Sequence, residues 1–336
     1  MLTDYLQKLR AGESLTINEA ASAMEVIMTG QADEAQFEEY LTLLADKGES
    51  AAEIAGSAET MRKHATRISP QVENLVDIVG TGGDKSNTFN ISTTTAFVVA
   101  GSGVSVAKHG NKAVSSKSGA ANVLEALGVK VDLNPEQVKQ AIEEVGIGFL
   151  FAPIFHPAMK FAAPIRAKLQ RRTIFNLLGP LSNPAGTKRE LIGVYSPDLV
   201  KLFAEAVQKM EKQHVIIVHG NGLDEFTTAG ENTALEMKNG EIHPFEVNLT
   251  ELGIEKTSLE NLVGGDAAEN AEITKAILSG EKSPKRDIVL LNAAAALIVS
   301  GKVKNLLEGI ALAQESIDSG AAKQKLEKLI KFSNSI

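Results

Sequence analysis

Cysteine and tryptophan are both missing from this chain of 336 residues. Without cysteine there is no disulfide, thiolate metal site, iron–sulfur cluster or cysteine nucleophile. The longest apolar run, AAAALIV at 293–299, is far too short to span a bilayer. The first residues, MLTDYLQKLRAGESL, contain no apolar stretch behind a basic one, so a signal peptide is not expected. These absences predict a soluble, cytoplasmic protein.

An excess of positive charge is also missing, since the net charge is −8. General binding to nucleic acid or to a membrane surface is therefore disfavoured, and any basic patch must be local, as in a pocket. The length suits two domains, or one large α/β domain with a smaller partner. The hydrophobic share of 43% is typical of a globular protein.

The first 65 residues predict four helices and no strand. Gly30 and Gly48 end two of these helices. Three helices begin with the pattern of a capping box, namely Thr16 with Glu19, Asp33 with Gln36, and Ser50 with Glu53. A small helical unit is expected here.

The pattern changes after this unit. Short apolar, β-branched runs predict buried strands with helices between them, at 75–79, 104–107, 190–195 and 214–219. Buried strands that alternate with helices imply a mostly parallel sheet covered on both faces. Asn239-Gly240 predicts the turn of an antiparallel hairpin, and the last 70 residues predict helices. The fold class is therefore α/β, with a small helical N-terminal domain.

The segment 155–185 predicts a helix followed by irregular chain, without strand character. We expect it to return to the helical unit, which makes the small domain discontinuous. The small domain then comprises 1–70 with the returning segment, and the large catalytic domain comprises 71–154 and 186–336.

The glycine loop GTGGD at 80–84 follows a predicted strand and precedes a helix that begins near Ser92. Ligands of open α/β sheets bind at such positions, where glycines and a helix N-terminus admit an anion. It is not a P-loop, because Lys85 follows Asp84 rather than a glycine, and it lacks the dinucleotide fingerprint. Phosphate binding is favoured over a turn that is only structural.

A second polar loop follows the run VSVA and has no acidic residue. It contains cations, an amide and hydroxyl groups that could clamp phosphate oxygens, namely Lys108, His109, Gly110, Asn111, Lys112, Ser115 and Ser116. The alternative is a solvated basic loop. A polyphosphate usually carries a divalent cation, for which Asp224 and Glu225 after the run HVIIVH are candidates. The alternative for that pair is a solvated acidic loop.

Together these motifs resemble the anthranilate phosphoribosyltransferase family over essentially the whole chain. The matching blocks are GTGGD (80–84), NIST (90–93), KHGNKAVSS (108–116), RTIFNLLGPLSNP (172–184) and the Asp224-Glu225 pair. The resemblance implies transfer of a phosphoribosyl group from phosphoribosyl pyrophosphate to the amine of anthranilate, the second step of tryptophan synthesis from chorismate. It also implies a small helical domain, a large α/β domain and a homodimer.

The resemblance further implies roles for individual residues. Phosphoribosyl pyrophosphate would bind Gly80, Gly83, Asp84, Thr88, Asn90, Ser92, Thr93, Lys108, Gly110, Asn111, Lys112, Ser115, Ser116 and Ala120. Two Mg²⁺ ions would be held by Ser92, Asp224 and Glu225. Anthranilate would contact Gly80, Asn111 and Arg166. Lys108 would help stabilise the leaving pyrophosphate, while His109 either stacks near the anthranilate ring or is structural.

Two positions depart from the family pattern. Lys112 stands where the family often has arginine, which loses the bidentate fork, and Asn122 replaces an aspartate, which removes a negative charge. Altered affinity is the most we expect from either.

Two other functions fit the sequence less well. A pyrimidine nucleoside phosphorylase usually has glycine at the place of Asn111 and lacks the RTIFNLLGPLSNP block. A non-catalytic homologue that binds nucleic acid should carry a basic stripe and degraded phosphate motifs, neither of which this acidic chain has.

Overall fold

The N-terminal helices pack into a bundle that begins at the first residues. The computed structural model describes residues 1–113 and 117–336. The bundle consists of α1 (Thr3–Arg10), α2 (Ile17–Met28), α3 (Glu34–Lys47) and α4 (Ala51–Lys63). The predicted capping boxes before α2 and α4 are confirmed.

The predicted capping box before α3 is wrong in one half. Asp33 accepts hydrogen bonds from the N–H groups of Ala35 and Gln36, as an N-cap residue does. The side chain of Gln36 does not return to Asp33, because its Oε1 instead accepts from the N–H of Leu2 at 3.3 Å. The side chain thus joins the start of α1 to α3.

Seven strands form one sheet in the order β3-β2-β1-β4-β5-β6-β7. They are β1 (Val76–Gly80), β2 (Val106–Gly110), β3 (Ile147–Phe151), β4 (Arg189–Gly193), β5 (His214–Gly220), β6 (Asn232–Lys238) and β7 (Glu241–Pro244). Strands β1 to β5 are parallel, and β6 and β7 add an antiparallel edge. The hairpin turn at Asn239 and Gly240 has positive φ at both residues, as predicted.

Helices cover both faces of the sheet. The helices that follow the bundle among the described residues are α5 (Ile91–Gly101), α6 (Ala120–Ala126), α7 (Pro135–Val145), α8 (Ala152–Phe155), α9 (Met159–Leu169), α10 (Phe175–Leu178), α11 (Asp198–Lys209), α12 (Ala267–Leu278), α13 (Pro284–Ser300), α14 (Leu306–Asp318) and α15 (Ala321–Asn334), with short 3₁₀ turns at Gly179–Leu181 and Leu259–Leu262. The AAAALIV run lies in α13, which is buried at the centre of one layer. Within the described ranges, no helix is long and apolar enough to cross a membrane. The predicted fold class is confirmed.

The sequence did not predict β3, whose residues read IGFLF. A continuous apolar run of this length does not distinguish a strand from a buried helical segment.

The second predicted strand was placed two to three residues too early. It was expected at 104–107 but lies at Val106–Gly110, paired with β3 along its whole length. Lys108 and His109 are therefore buried strand residues, 4% and 5% exposed, and not members of an open loop.

The returning segment packs against the helical bundle. Helix α9 contacts α2 and α3, and α10 contacts α4. Ile165 and Phe175 belong to the same apolar cluster as the bundle, and so do Ile192 and Ile217 from the sheet. The bundle and one face of the sheet thus share a core, and the proposed domain boundaries stay a prediction.

Candidate functional site

The connections of the sheet reverse direction at β1. From β1 the chain moves outward to β2 and β3, and it then crosses to β4 on the other side of β1. Such a reversal leaves a crevice outside the carboxyl ends of the strands, where ligands of open α/β folds bind. Gly80 ends β1 and pairs in register with Gly193, which ends β4.

These two glycines make room for the segment that carries Asp224. A Cβ at Gly80 would collide with the Asp224 carboxylate, and one at Gly193 would collide with its carbonyl oxygen. Because both positions lack a side chain, the chain after β5 folds back over the ends of β1 and β4.

The glycine loop is held from two sides. Gly82 has φ of +66°, and its N–H donates to Asp224 Oδ2 at 2.6 Å. The Arg172 guanidinium donates to the carbonyl of Gly83 and lies 3.5 Å from the ring centroid of Tyr195. The loop is therefore fixed while several of its backbone groups remain exposed.

The start of α5 and the buried Lys108 complete the polar end of the crevice. The N–H of Ser92 donates to Glu225 Oε1 at 3.1 Å. Lys108 Nζ donates to the carbonyl of Ile78 at 2.7 Å and to Ser92 Oγ at 3.2 Å. The structure thus brings Ser92, Lys108 and Glu225 together.

Burial shifts the pKa of all three of the buried charged side chains Asp224, Glu225 and Lys108. It raises the pKa of Asp224 to about 7 and that of Glu225 well above its usual range, with Asp84 adding to both effects. Burial also lowers the pKa of Lys108, against the opposing attraction of Asp77, Glu225 and Asp224. Negative charge exceeds positive charge here, so a cation would be stabilised.

The oxygen-rich group fits Mg²⁺. Within residues 1–113 and 117–336, no three His, Asp or Glu side chains are gathered as a metal cluster. Mg²⁺ is commonly held by one or two carboxylates together with water and the phosphates of a substrate. The donor set of Ser92, Asp224 and Glu225 corresponds to that mode.

Other predicted phosphate contacts are distributed around this point. Asp84 accepts from the hydroxyl of Ser86 at 2.7 Å, and Ser86 also lies 3.3 Å from the hydroxyl of Thr88. Thr93 is 1% exposed, so its side chain belongs to the core, while Asn90 is partly exposed at the start of α5. Ala120 begins α6, and the predicted Ser115 and Ser116 lie outside the described residues.

Lys112 and Asn122, the two residues that depart from the family pattern, both make polar contacts in the structure. Lys112 Nζ forms an ion pair with Glu125 at 3.0 Å. Asn122 Oδ1 accepts from the N–H groups of Ala113 at 3.0 Å and Gly119 at 3.1 Å, so it ties together the two ends of the basic loop. Both of these N–H contacts need an acceptor oxygen, which asparagine supplies as aspartate would.

A cavity of about 510 Å³ adjoins the crevice and reaches the helical bundle. The three residues that the resemblance assigns to anthranilate, Gly80, Asn111 and Arg166, all line it. Its other walls include Met61 and Phe175. The structure thus brings residues from β1, from the end of β2 and from α9 to one space.

Arg166 lies in this cavity without an acidic partner among the described residues. It is partly buried, burial lowers its pKa, and its guanidinium carbon lies 5.4 Å from the ring centroid of Phe175. Its neighbours differ, since Arg171 pairs with Asp46 at 2.7 Å and Arg172 binds the glycine loop. A partly desolvated cation that faces a cavity favours an anionic ligand.

Two buried histidines form another wall. The Nε2 atoms of His109 and His156 are 3.2 Å apart. Burial lowers the pKa of His109 to about 3 and that of His156 to about 4, so both rings are neutral near pH 7. The sequence did not single out His156, because a lone histidine before a proline matches no metal-binding or catalytic spacing pattern.

The buried carboxyl group of Asp77 fixes the backbone of His109. Asp77 accepts from the backbone N–H of His109 at 3.2 Å and from the amide of Asn183 at 2.7 Å. Asn183 also donates to the carbonyl of Ala107 at 2.8 Å. The RTIFNLLGPLSNP block is thereby attached to β1 and β2.

Asp77 should make the stability of the protein depend on pH. Burial raises its pKa from 3.8 to about 7, so between these values the folded state retains a proton that the unfolded state has released. The contribution of Asp77 to the free energy of unfolding should therefore fall as pH rises from about 4 to about 7 and level off above, while the lowered pKa values of His109 and His156 act in the opposite direction. The free energy of unfolding of the parent minus that of Asp77→Asn should therefore fall over this pH range, in urea unfolding measured with chelator present.

The exposed Asp132 supplies a control for this measurement. Asp132→Asn should leave the slope of the parent protein unchanged. Equal slopes for Asp77→Asn and the parent would contradict the assignment.

Comparison with known proteins agrees with this architecture. Residues 3–65 match the model of the glycosyl transferase family, helical bundle domain, and residues 72–323 match that of the glycosyl transferase family, a/b domain. The anthranilate phosphoribosyltransferase of Dehalococcoides mccartyi strain CBDB1 is 52% identical over 339 residues, which cover 100% of this chain and 99% of the relative.

Solved structures give the same result. Anthranilate phosphoribosyltransferase from Thermus thermophilus superposes with a TM-score of 0.93 at 43% identity, covering 98% of this chain and 99% of that one. The Saccharomyces cerevisiae enzyme in complex with phosphoribosyl pyrophosphate and Mg has a TM-score of 0.90 at 32% identity, covering 100% and 98%. The same yeast enzyme has also been solved with 4-fluoroanthranilate.

Proposed function

This chain belongs to the anthranilate phosphoribosyltransferase family, and from that premise we propose how its own residues serve the reaction. The activity is transfer of the 5-phosphoribosyl group from phosphoribosyl pyrophosphate to the amine of anthranilate. The products are N-(5-phosphoribosyl)anthranilate and pyrophosphate, and the reaction is the second step of tryptophan biosynthesis from chorismate. The nucleoside phosphorylase and nucleic-acid-binding alternatives are set aside.

The placement of anthranilate rests on Arg166, which has no acidic partner within residues 1–113 and 117–336. Anthranilate has one carboxylate, and a partly buried cation needs an anion beside it. We propose that this carboxylate binds Arg166 and that the amine points toward Gly80 and Asn111, where the cavity meets the crevice. The neutral rings of His109 and His156 then form an uncharged wall beside the aromatic ring.

We propose that phosphoribosyl pyrophosphate occupies the crevice outside β1, β2 and β4. Exposed backbone groups of the glycine loop and the start of α5 would donate to its phosphates. The contact set is the one that the resemblance implies, with the side chain of Thr93 excluded because it faces the core. The backbone N–H of Thr93 would donate from the first turn of α5 instead.

Mg²⁺ would be held by Ser92, Asp224 and Glu225, with two ions as the proposed number. When bound, Mg²⁺ neutralises negative charge that develops on the pyrophosphate oxygens. Lys108, hydrogen-bonded to Ser92, supplies a fixed positive charge at the same point. The raised pKa values of the two carboxyls favour the neutral acid in the free protein, so bound metal and protons compete there.

The chain's own contribution is positioning and electrostatics. Cleavage of the ribose C1–O bond creates positive charge on the sugar and negative charge on the leaving group, and Lys108 with the N–H groups of the loop stabilises the latter. The amine of anthranilate is nucleophilic without prior deprotonation, so alignment of the amine with C1 is the main requirement. Arg166 and the cavity walls provide that alignment.

We also propose an oligomeric state, a location in the cell and a domain boundary. The chain would form a homodimer and act in the cytoplasm. Its small domain would comprise 1–70 with the returning segment 155–185.

A fluorescence assay tests the function directly. Anthranilate fluorescence should decay when enzyme, phosphoribosyl pyrophosphate and Mg²⁺ are all present. It should stay constant when either partner is left out or chelator is added. No decay in the complete mixture would reject the proposed arrangement.

Gly82 offers a test of the glycine loop. At φ of +66° a β-branched residue is strained, and valine would hold the backbone away from a phosphate. Gly82→Val should weaken phosphoribosyl pyrophosphate binding about tenfold by calorimetry, the value of one charge-assisted hydrogen bond. Anthranilate binding should change much less.

Gly12 is a matched control for this substitution. It has φ of +77° and open space around it, in the turn after α1 far from the crevice. Gly12→Val should carry similar backbone strain without weakening binding. Equal affinities for Gly82→Val and the parent would mean that the loop is only a turn.

A further inference from the structure

Asn90 stands at the N-terminal cap of α5 but does not cap the helix. An asparagine at this position normally accepts a hydrogen bond from a backbone N–H of the first turn. Here its Oδ1 instead accepts from Nδ2 of Asn270 at 3.0 Å, 180 residues further along the chain. The N–H of Ser92 in the first turn donates instead to Oε1 of Glu225.

The chemistry of the neighbours fixes which way both amides point. Asn270 Oδ1 accepts from the backbone N–H of Gly265 at 2.8 Å, a group that can only donate. Asn270 must therefore turn its NH₂ group to Asn90, which in turn must present its oxygen. At the other end, Asn90 Nδ2 donates to the carbonyl of Ser118 at 3.3 Å, a group that can only accept. Gly265 at one end of this chain of hydrogen bonds and Ser118 at the other therefore require the same orientation of the two amides.

Asn270 is itself held rigidly. It is 1% exposed on α12, and its carbonyl accepts from the hydroxyl of Thr274 at 2.9 Å. One turn further along, Thr274 bonds Thr94 of α5 at 2.9 Å. Two polar contacts, Asn270 with Asn90 and Thr274 with Thr94, therefore join α12 to α5, and only the first touches the amide of Asn90.

We propose that Asn270 is a positioning residue that directs the NH₂ group of Asn90 toward the phosphates of the donor substrate. The proposal rests on the proposed function, which places Asn90 among the contacts of phosphoribosyl pyrophosphate. One N–H of that group bonds Ser118, and the other is left to donate to a phosphate oxygen. If the amide of Asn90 were reversed, its carbonyl oxygen would face the phosphate and repel it.

Asn270→Asp is the sharpest variant because it has nearly the same shape. A carboxylate at 270 still accepts from the N–H of Gly265 but can donate neither to Asn90 nor to the carbonyl of Gly265, which now accepts from Asn270 Nδ2 at 3.3 Å. Asn90 should then turn its NH₂ group toward this carboxylate and away from the phosphate. Calorimetry with phosphoribosyl pyrophosphate and Mg²⁺ should show a Kd raised about tenfold. The KM for anthranilate should stay within about twofold, because the cavity is untouched. Asn270→Ala, which adds no charge, should raise the same Kd less.

Thr274→Val is the matched control. It removes the neighbouring contact between the same two helices and should lower Tm while leaving the Kd unchanged. If Thr274→Val weakens binding as much as Asn270→Asp does, the effect is one of helix packing and the inference is overturned.

The Asn90→Ala variant tests whether Asn270 acts through Asn90 or independently of it. If Asn270 acts through Asn90, then Asn270→Ala causes no further rise in Kd in the Asn90→Ala background. An equal rise in both backgrounds, or an unchanged Kd in Asn270→Asp, overturns the inference while Asn90 keeps its proposed contact. An unchanged Kd in Asn90→Ala alone removes Asn90 from the substrate site and overturns the inference with it.

Discussion

Turnover should fall by about a thousandfold or more when Asp224→Asn and Glu225→Gln are combined. The amides keep the oxygens that accept from Gly82 and Ser92, but they lack the charge that holds a divalent cation. Loss of metal stabilisation is worth several kcal/mol at the transition state, and each 1.36 kcal/mol is tenfold in rate. Steady-state assays across a Mg²⁺ titration measure the loss, which high Mg²⁺ should not restore.

The fold of this double variant should survive and gain stability. Burial raises both pKa values, so above pH 7 the ionised carboxyls of the parent destabilise the folded state relative to the unfolded one. Neutral amides remove that penalty, so Tm in chelator at pH 8 should exceed that of the parent.

A matched pair of charges controls for net charge. Asp132→Asn with Glu144→Gln removes the same two charges from exposed positions and should leave turnover unchanged. Full activity in the Asp224→Asn, Glu225→Gln protein would reject the metal assignment.

Arg166→Ala should raise the KM for anthranilate by about 10- to 150-fold. A charge-assisted hydrogen bond is worth roughly 1.5–3 kcal/mol, which converts to that range. The KM for phosphoribosyl pyrophosphate should stay nearly unchanged, since Arg166 lines the cavity and not the glycine loop. If the contact also orients the amine, kcat falls as well.

Methyl anthranilate sharpens this test because it lacks the negative charge. The parent enzyme should prefer anthranilate to the ester, and Arg166→Ala should lose most of that preference. Arg171→Ala removes an equal charge, one that pairs with Asp46. It should change neither the KM for anthranilate nor the preference for anthranilate over the ester. An unchanged anthranilate KM in Arg166→Ala with a large rise in Arg172→Ala would move the carboxylate site.

Local signals predicted much of this molecule because they depend on near neighbours. The capping residues before α2 and α4 and the Asn239-Gly240 turn act within four residues, and each has the predicted geometry. The buried strand β5 was also placed within one residue, because its β-branched run is bounded by polar residues on both sides.

What the sequence did not reveal depends on contacts between distant segments. Lys108 and His109 look like loop residues, and only pairing with β3 draws them into the sheet. His156 gains meaning only from its contact with His109, 47 residues earlier. Asn270 matches no motif, since its relation to Asn90 exists only once α12 packs against α5. The predicted contact residues were found by motif, and the groups that orient them were not.

The apolar cluster that the helical bundle shares with β4 and β5 has a consequence for unfolding. Leu41 and Ile54 of the bundle lie in the same cluster as Ile192 and Ile217 of the sheet, and α11 packs against both α4 and the strands β5 and β6, so melting of the bundle alone would expose apolar side chains of this shared cluster to water. Calorimetry should therefore record a single cooperative transition, in which the van't Hoff and calorimetric enthalpies agree. A chain cut after residue 70 should not yield a stably folded bundle, because the surface left behind has no partner.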